Sequence, residues 1–187
     1  MLPFVPSTAR CILDVGCGRG GFGYALRESD PTRTIWAVES ETDFAATASA
    51  HYDEMVVGVF PEALSTDPSP PRFDCIVFND VLEHQVDPWE TLRTTKQLLT
   101  ADGTVVASIP NVRNLRTVFD LAVRGDWTYV EMGVLDRTHL RFFTRRTTVA
   151  LFEDSGYEVE ALAGINALGR SRLPIARALP VVRRVKR

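Results

Sequence analysis

Short apolar runs alternate along the chain with segments in which apolar residues recur at helical spacing. Most of these runs are rich in valine and isoleucine and nearly continuous in apolar character, as in strands that are covered on both faces of a sheet. The pattern predicts six strands, at Cys11–Val15, Thr34–Val38, Met55–Val59, Phe73–Phe78, Thr104–Ile109 and Tyr157–Ala163. It predicts helices near residues 19–29, 41–51, 88–100 and 144–155.

This alternation predicts the fold class, an α/β domain with an open, mostly parallel, doubly wound sheet. Ligands of such sheets bind beyond the carboxyl ends of the strands, where the strand order reverses. Residues 111–143 are expected to form a long irregular insertion after the fifth strand, and long loops in compact domains tend to be functional. We therefore expect the functional residues directly after the strands and in this insertion.

Composition narrows the class of protein. The 187 residues are 45% hydrophobic and 24% charged, which argues against a disordered or fibrous chain. No apolar run approaches the ~18 residues that span a bilayer, and no signal-peptide pattern is visible at the N-terminus. The three cysteines contain no CxxC pair. We expect them to be buried, reduced thiols in a cytoplasmic protein, with neither a disulfide framework nor a metal site.

Charge is distributed unevenly between the two parts of the chain. Residues 161–187 hold seven basic residues and no acid, so residues 1–160 carry a net charge of −10 within the overall −3. We therefore expect no nucleic-acid partner for the acidic body. Residues 1–163 are assigned to one domain and residues 164–187 to a basic tail, whose mixture of basic and apolar residues suits weak contact with an anionic membrane surface.

A glycine-rich segment follows the first predicted strand. It reads Asp14-Val15-Gly16-Cys17-Gly18-Arg19-Gly20-Gly21, and glycines there let a ligand approach backbone amides at a helix N-terminus. The segment satisfies GxGxxG, a weak motif by itself that leaves an NAD-dependent oxidoreductase open. Glu39 closes the second strand, where a carboxylate can accept two hydrogen bonds from the ribose diol of NAD or of S-adenosylmethionine.

Asp14 separates these two cofactors. A carboxylate at the end of an apolar strand needs a cationic or hydrogen-bonding partner. It repels a diphosphate, whereas it attracts the amino group and the sulfonium of S-adenosylmethionine. The NAD hypothesis therefore takes second place.

With these residues the sequence resembles the class I S-adenosylmethionine-dependent methyltransferases, and within them the small-molecule methyltransferases often found among bacterial cell-surface glycan genes. The resemblance covers about residues 8–163 and rests on residues 13–20, Glu39, and residues 73–84, 107–111 and 133–144. It implies methyl transfer to a small-molecule or glycan-linked acceptor, with oxygen as the expected acceptor atom. A non-catalytic interaction module with the same fold is the remaining alternative.

The resemblance also implies a cofactor site. Asp14 and the glycine backbone would hold the methionine part, and Glu39 the ribose. Val59 stands where the class usually has an acid after the third strand, so adenine would meet apolar side chains and backbone amides. The predicted cofactor-binding residues are Asp14, Gly16, Cys17, Gly18, Glu39, Val59, Phe60 and Asn79.

His84 and His139 are the candidate general bases, with Asp80 behind them, since a hydroxyl acceptor benefits from a base. A turn histidine bonded to backbone is an equally weighted alternative for His84. His139 lies in the insertion between Arg137 and Arg141 and close to aromatic residues. The alternative there is a structural turn, in which Asp136 pairs with one of the arginines.

Three residues are predicted to contact the methyl acceptor. Arg137 and Arg141 would suit a carboxylate, a phosphate or a sugar acid through bidentate hydrogen bonds. Asn111 follows the fifth strand, where the acceptor is expected.

The class normally carries two elements that the pattern does not supply. It has a helix before the first strand, but ten residues precede Cys11. It also closes the sheet with a hairpin strand after Tyr157–Ala163, but here the chain continues into the basic tail with Pro174 and Pro180. We therefore predict no seventh strand, so the sheet is either completed irregularly or shortened.

Overall fold

The computed structural model describes residues 1–66, 71–164 and 181–185. Within these residues the strands form one sheet. Its strands are β1 (Cys11–Val15), β2 (Thr34–Glu39), β3 (Glu54–Val57), β4 (Phe73–Asn79), β5 (Leu99–Ser108), β6 (Tyr157–Leu162) and β7 (Val181–Val185). They are ordered β3-β2-β1-β4-β5-β7-β6. The first five are parallel, and β7 is antiparallel to β5 and β6. The predicted α/β sheet is confirmed.

Helices connect these strands at the four predicted places. They are α1 (Gly21–Ser29), α2 (Thr42–Ala48), α3 (Pro88–Leu98) and α5 (Arg145–Asp154), with α4 (Leu115–Phe119) in addition. Side-chain caps define two of the starts. The Asp87 carboxylate accepts a hydrogen bond from the Glu90 N–H at 2.9 Å, and Thr144 and Thr147 cap each other's backbone reciprocally. Such caps satisfy amides that have no partner within the first helical turn.

Alternate residues of the central strands pack into two cores, one on each face of the sheet. In β1, Ile12 packs in the core that contains Leu26 of α1, whereas Leu13 packs in the core that contains Leu92 of α3. Burial on both faces explains why the strands are nearly continuous in apolar character. Because side chains alternate along a strand, Asp14 lies on the same face as Ile12, toward α1.

The strand order reverses between β1 and β4. The carboxyl ends of β1, β2 and β4 therefore bring residues 14–20, Glu39 and residues 79–84 to one edge of the sheet. A Cβ atom added to Gly16 would lie 2.6 Å from Cγ2 of Val81, so the segments after β1 and β4 touch. This is the edge at which ligands of open α/β sheets bind.

β7 corrects the expectation that the sheet lacks its last strand. Val181–Val185 pairs with Thr104–Ala107 of β5 and with Tyr157–Leu162 of β6. Three valines in five residues favour an extended backbone. Pairing on both sides satisfies the backbone of β7, a long-range contribution that the local sequence pattern does not contain. The rest of the predicted basic tail, residues 165–180 and 186–187, lies outside the described residues.

The insertion at residues 111–143 is more regular than predicted. α4 begins after Asn114, whose Oδ1 accepts a hydrogen bond from the Arg116 N–H at 3.1 Å. It continues as a π-helical turn, Asp120–Arg124, that ends at Gly125 with a φ of 65°. Before β1, Leu2–Phe4 forms a 3₁₀ turn. Across the described parts of the chain, no helix combines the length and the apolar character needed to cross a membrane.

Candidate active site

The glycine loop, residues 14–20, connects β1 to α1. Gly16 and Gly18 have φ angles of 67° and 55°, in the left-handed region that glycine adopts without strain. The Gly16 N–H donates to the Val38 carbonyl at 2.8 Å, which fixes the loop to the end of β2. A Cβ atom added to Gly18 would meet nothing within 4 Å. The backbone at Gly18 is therefore open to a ligand.

Asp14 is fully buried at the carboxyl end of β1. Its Oδ2 accepts a hydrogen bond from the Tyr52 hydroxyl at 2.6 Å, and the Tyr52 oxygen accepts one from the Gly23 N–H at 3.1 Å. Oδ1 of Asp14 has no hydrogen-bond partner among the described residues. A buried carboxylate oxygen without a partner is costly. Oδ1 is thus a ready acceptor for a positively charged donor.

The environment of Asp14 opposes its ionisation. Burial raises the pKa of Asp14 to about 7, the Tyr52 hydrogen bond acts in the opposite direction, and the charge of Glu39 raises the pKa further. A bound cationic group would favour the ionised carboxylate. The binding of such a group and the ionisation of Asp14 are therefore coupled.

Glu39 ends β2 and extends its carboxylate across the glycine loop. Oε2 accepts a hydrogen bond from the Gly18 N–H at 2.7 Å, and Oε1 accepts one from the Glu41 N–H at 3.0 Å. The residue is 6% exposed. A carboxylate has about four lone-pair sites, so Glu39 keeps acceptor capacity for the hydroxyls of a ribose.

The side chains of the other predicted cofactor residues differ in their exposure to solvent. Asn79 ends β4, and its buried Oδ1 is without a hydrogen-bond partner within the described ranges. Cys17 is 9% exposed and Val59 is 60% exposed. The adenine contact of Phe60 remains a prediction. Its ring is buried in the core and packs edge-to-face on Phe78, with the centroids 5.6 Å apart.

These residues fit S-adenosylmethionine better than NAD. Two buried acceptor oxygens, Asp14 Oδ1 and Asn79 Oδ1, are without partners among residues 1–66, 71–164 and 181–185, and an amino group supplies the donors that such oxygens need. A diphosphate would bring negative charge toward the carboxylates of Asp14 and Glu39. The distinction drawn from Asp14 in the sequence thus agrees with the geometry.

The histidine cluster consists of Glu83, His84 and His139. Glu83 and His84 lie in a 3₁₀ turn, Leu82–His84, after β4, and His139 lies in the insertion. The insertion is held there because the N–H groups of Leu140 and Arg141 donate to the Glu83 carbonyl at 2.9 and 3.0 Å. The two imidazole rings meet edge-to-face with centroids 4.7 Å apart. The structure therefore brings both predicted bases together.

Hydrogen bonds fix the orientation of both imidazole rings. Nδ1 of His139 lies 3.1 Å from the Val134 carbonyl oxygen, and Nδ1 of His84 lies 3.2 Å from the Thr138 carbonyl oxygen. A carbonyl oxygen only accepts, so in each neutral ring Nδ1 carries the hydrogen and Nε2 keeps its lone pair. The Nε2 atoms are the ones that can accept a proton or bind a cation.

The sequence prediction missed Glu83. Its side chain is 1% exposed, and neither of its oxygens has a hydrogen-bond partner in the part of the chain that the structure describes. Oε1 lies 3.9 Å from Nε2 of His139. Burial raises the pKa of Glu83 well above its usual value and lowers the pKa of His139. The available signal was an acid directly before His84 and four residues after the end of β4.

The sequence indicated no cluster with the spacing of a metal site, but the structure brings three possible ligands together. One ligand atom from each of Glu83, His84 and His139 lies within 4.8 Å of the others. No spacing motif reveals this set, because His139 is distant from the other two along the chain.

Asp80 and Asn111 lie close to the ends of adjacent strands. Oδ1 of Asp80 accepts a hydrogen bond from the Ser108 hydroxyl at 2.9 Å, and the backbone of Asp80 has a φ of 54°. Oδ1 of Asn111 accepts a hydrogen bond from the Arg113 N–H at 3.0 Å. Asp80 is exposed and Asn111 is half-buried. The Asp80 side chain is therefore anchored at the site edge but accessible to solvent.

The two predicted acceptor-binding arginines are exposed and have partners in the protein. Arg137 forms an ion pair with Glu131 at 2.6 Å, and Arg141 donates to a backbone carbonyl at 2.7 Å. The alternative in which Asp136 pairs with an arginine is not what the structure shows. Oδ1 of Asp136 accepts hydrogen bonds from the N–H and hydroxyl of Thr138. Each guanidinium keeps further donors for a ligand.

A family model described as a methyltransferase domain matches residues 2–162. The chain belongs to this methyltransferase family. The resemblance to class I S-adenosylmethionine-dependent methyltransferases, seen in the glycine loop and in residues 73–84, is therefore confirmed.

Individual relatives of this methyltransferase-domain protein agree with the assignment. The ubiquinone biosynthesis O-methyltransferase of Paracidovorax citrulli is 32% identical over 143 residues, which cover 72% of this chain and 56% of that protein. A protein of the same name from Caulobacter sp. is 32% identical over 105 residues, covering 54% and 40%. The chain spans about half the length of these curated relatives.

The fold is shared with solved methyltransferase structures. A SAM-dependent methyltransferase from Archaeoglobus fulgidus matches with a TM-score of 0.68 at 17% identity, covering 98% of this chain and 89% of that one. At this identity the likeness concerns the fold.

Proposed function

We propose that this protein transfers the methyl group of S-adenosylmethionine to an oxygen atom of a small-molecule or glycan-linked acceptor. The observation that carries the proposal is the partnerless Oδ1 of buried Asp14, beside an open glycine loop, at the sheet edge that also bears the histidine cluster. When bound, S-adenosylmethionine would supply a methyl group on an activated sulfonium: the acceptor oxygen bonds to the methyl carbon as the carbon–sulfur bond breaks, which gives the methyl ether, S-adenosylhomocysteine and the proton of the hydroxyl.

The glycine loop is the proposed cofactor site. Oδ1 of Asp14 would receive the cofactor's amino group, with Tyr52 holding Oδ2 in place. Glu39 would accept the ribose hydroxyls, and the backbone at Gly16, Cys17 and Gly18 would follow the methionine part. Val59, exposed after β3, would give adenine an apolar surface, and Asn79 would add an acceptor at the end of β4.

The histidine cluster is the proposed site of proton removal from the acceptor. A hydroxyl must lose its proton as the new bond to carbon forms, and a positioned base speeds this step. In both His84 and His139 the hydrogen bond at Nδ1 leaves the Nε2 lone pair to take that proton. The exposed carboxylate of Asp80 would stabilise the resulting imidazolium. Orientation and exclusion of water supply much of the remaining effect, about 7–11 kcal/mol in well-oriented reactions.

An oxygen acceptor is supported by the relatives, both of which are named as O-methyltransferases. The chemistry of the insertion favours an acceptor that carries negative charge. Arg137 and Arg141 keep guanidinium donors beyond those used in the protein, and they flank His139 in the chain. Asn111 would provide a neutral contact from the end of β5.

Calorimetric titration of the purified chain with S-adenosylhomocysteine, with NAD⁺ as the comparison, tests the cofactor. We expect micromolar binding of S-adenosylhomocysteine alone. Binding of NAD⁺ alone would replace the proposal with an oxidoreductase, and binding of neither ligand would favour an interaction module.

The interaction-module alternative draws its support from one place, the adenine side of the site. Val59 stands there without the acid that the class usually has. This alternative predicts that no acceptor is methylated, even where S-adenosylhomocysteine binds. Formation of S-adenosylhomocysteine from S-adenosylmethionine in an acceptor screen separates the two functions.

A further inference from the structure

Glu83 is a buried carboxylate without a hydrogen bond to any described residue. Its side chain is 1% exposed, and both oxygens are fully shielded. A carboxylate in such a place costs several kcal/mol unless a cation or donors compensate it. The neighbouring polar atom, Nε2 of His139, lies 3.9 Å from Oε1, too far for a hydrogen bond. A cation bound beside Glu83 would compensate the charge of its ionised carboxylate.

The two histidines of the cluster are held as metal-binding histidines are held. A metal-binding imidazole commonly donates its second N–H to a carbonyl, which fixes the ring and the tautomer. Here Nδ1 of His139 donates to the Val134 carbonyl and Nδ1 of His84 donates to the Thr138 carbonyl. Thr138 also places its hydroxyl 3.2 Å from Nδ1 of His84. Both rings therefore keep a lone pair in a fixed direction.

The spacing of the three side chains is close to that of a coordination sphere. Metal–ligand distances to imidazole nitrogen and carboxylate oxygen are about 2.0–2.2 Å, so two ligands of one ion are at most about 4.4 Å apart. The ligand atoms of Glu83, His84 and His139 all lie within 4.8 Å of one another. Small rotations of the side chains would close the set around one ion.

We propose that Glu83, His84 and His139 bind one divalent transition-metal ion. Two imidazoles and one carboxylate suit ions such as Mn²⁺, Co²⁺ and Zn²⁺, whereas Mg²⁺ and Ca²⁺ prefer oxygen ligands alone. The nearby carboxylates of Asp80 and Asp136 add negative charge that favours a cation. Three protein ligands leave positions open for water or substrate, as in catalytic rather than structural sites.

This inference rests on the proposed function and changes the role of the histidines within it. His84 and His139 become ligands, and the cation holds the acceptor oxygen beside the cofactor site. Binding to a cation lowers the pKa of a hydroxyl. The hydroxyl proton then leaves to solvent before the oxygen attacks the methyl carbon, and no oxidation or reduction takes place.

Zn²⁺ titration of the full chain after removal of metals with EDTA tests the site. We expect one equivalent to bind with a Kd in the micromolar range or below, and Mg²⁺ to bind at least about tenfold more weakly. Glu83→Gln and His84→Ala should each weaken Zn²⁺ binding by more than about tenfold. Circular dichroism of both variants checks that they fold. If Glu83→Gln does not fold because Glu83 is buried, His84→Ala alone provides the test.

His51→Ala is the matched control, because His51 is the remaining histidine and packs on Tyr24 of α1. Zn²⁺ binding that is lost in this control, or that survives both cluster substitutions, would overturn the inference. Equal affinity for Mg²⁺ and Zn²⁺ would also overturn it.

S-adenosylhomocysteine titration of the EDTA-treated chain separates this inference from the proposed function. Binding of S-adenosylhomocysteine without any Zn²⁺ binding would leave the methyltransferase proposal standing and remove the metal site. Zn²⁺ binding that depends on Glu83, without binding of S-adenosylhomocysteine, would support the metal site and refute the proposed cofactor.

Discussion

The glycine loop and the histidine cluster lie at the same edge of the sheet but are built in different ways. Asp14 and Glu39 sit at the ends of two neighbouring strands, and the register of β1 with β2 fixes their separation. The histidine cluster joins a turn after β4 to a distant insertion through hydrogen bonds to the Glu83 carbonyl. The first region is set by the sheet itself, and the second depends on how a long loop folds back.

This difference predicts that cofactor binding and acceptor chemistry can be disrupted separately. Residues of the glycine loop should control the affinity for S-adenosylhomocysteine. Residues of the cluster and the insertion should control turnover while leaving that affinity unchanged. Each of the following substitutions affects one region and uses the other as its reference.

The largest effect is expected for Asp14→Asn. Asparagine keeps the size of the side chain and an acceptor for the Tyr52 hydroxyl, but it removes the charge that, in the proposed site, would face the cofactor's amino group. A charge-assisted hydrogen bond of this kind contributes about 2–3 kcal/mol, so S-adenosylhomocysteine should bind about 100-fold more weakly by calorimetry. Asp43→Asn, an exposed carboxylate on α2, is the control. A loss within threefold (about 0.6 kcal/mol) would show that Asp14 does not face the ligand.

A smaller effect, on turnover alone, is expected for His139→Ala. Loss of this imidazole, as base or as metal ligand, should lower methyl transfer at least about tenfold and leave the affinity for S-adenosylhomocysteine unchanged. The measurements are the initial rate with an acceptor found by screening and a parallel calorimetric titration. His51→Ala controls for loss of a histidine elsewhere. Unchanged turnover would show that His139 takes no part in methyl transfer. An equal loss of affinity for S-adenosylhomocysteine would show that the glycine loop and the histidine cluster are not independent.

The pH dependence of cofactor binding should be a property of the glycine loop. Burial raises the pKa of Asp14 to about 7, whereas an unfolded aspartate titrates near pH 4. The cofactor's ammonium group needs the ionised carboxylate, so the affinity for S-adenosylhomocysteine should rise about tenfold from pH 6 to pH 8 and then level off. Asp14→Asn should abolish this rise, and His139→Ala should keep it. If His139→Ala abolished the rise in affinity with pH, the titrating group would lie in the histidine cluster and not in the glycine loop.

The same group has the opposite effect on the stability of the ligand-free protein. Between pH 4 and pH 7 the folded chain holds a proton on Asp14 that the unfolded chain has lost. The stabilising contribution of this proton to the free energy of unfolding is therefore fully present below pH 4 and is lost as the pH rises through 7. Urea unfolding at pH 5 and pH 8 should therefore show a larger loss of stability in the wild type than in Asp14→Asn, because the raised pKa of Glu83 contributes a loss of the same sign in both proteins.

The two regions also differ in how far the sequence predicts them. Asp14, the glycines and Glu39 were identifiable because parallel strands collect their carboxyl ends at one edge, so position along the chain gives position in space. His84 and His139 were identifiable by residue type, but their contact was not. Glu83 was missed because the burial of its carboxylate is a tertiary feature, and the insertion that hydrogen-bonds to its backbone is distant in the chain.

Elements that depend on distant partners were the ones that local patterns missed. β7 combines valines with arginines and follows two prolines, features that resemble a solvated tail, and its pairing with β5 and β6 is a long-range contribution. Tyr52 likewise meets Asp14 only through the packing of α2 and the turn after it. The helix after Asn114 was also missed, although its N-cap residue and Gly125 as a stop are local signals that could have predicted it.

The smallest effect is expected from an ion pair on the insertion. Arg137 and Glu131 lie 2.6 Å apart, but their side chains are 60% and 77% exposed, and such pairs contribute about 0–1 kcal/mol. Glu131→Gln should change the free energy of urea unfolding by less than about 0.5 kcal/mol. Glu90→Gln, which breaks the exposed pair with Arg93 on α3, is the matched control. A loss above about 1 kcal/mol for Glu131→Gln alone would mean that the insertion folds cooperatively with the domain, and the acceptor side would then be as firmly built as the glycine loop.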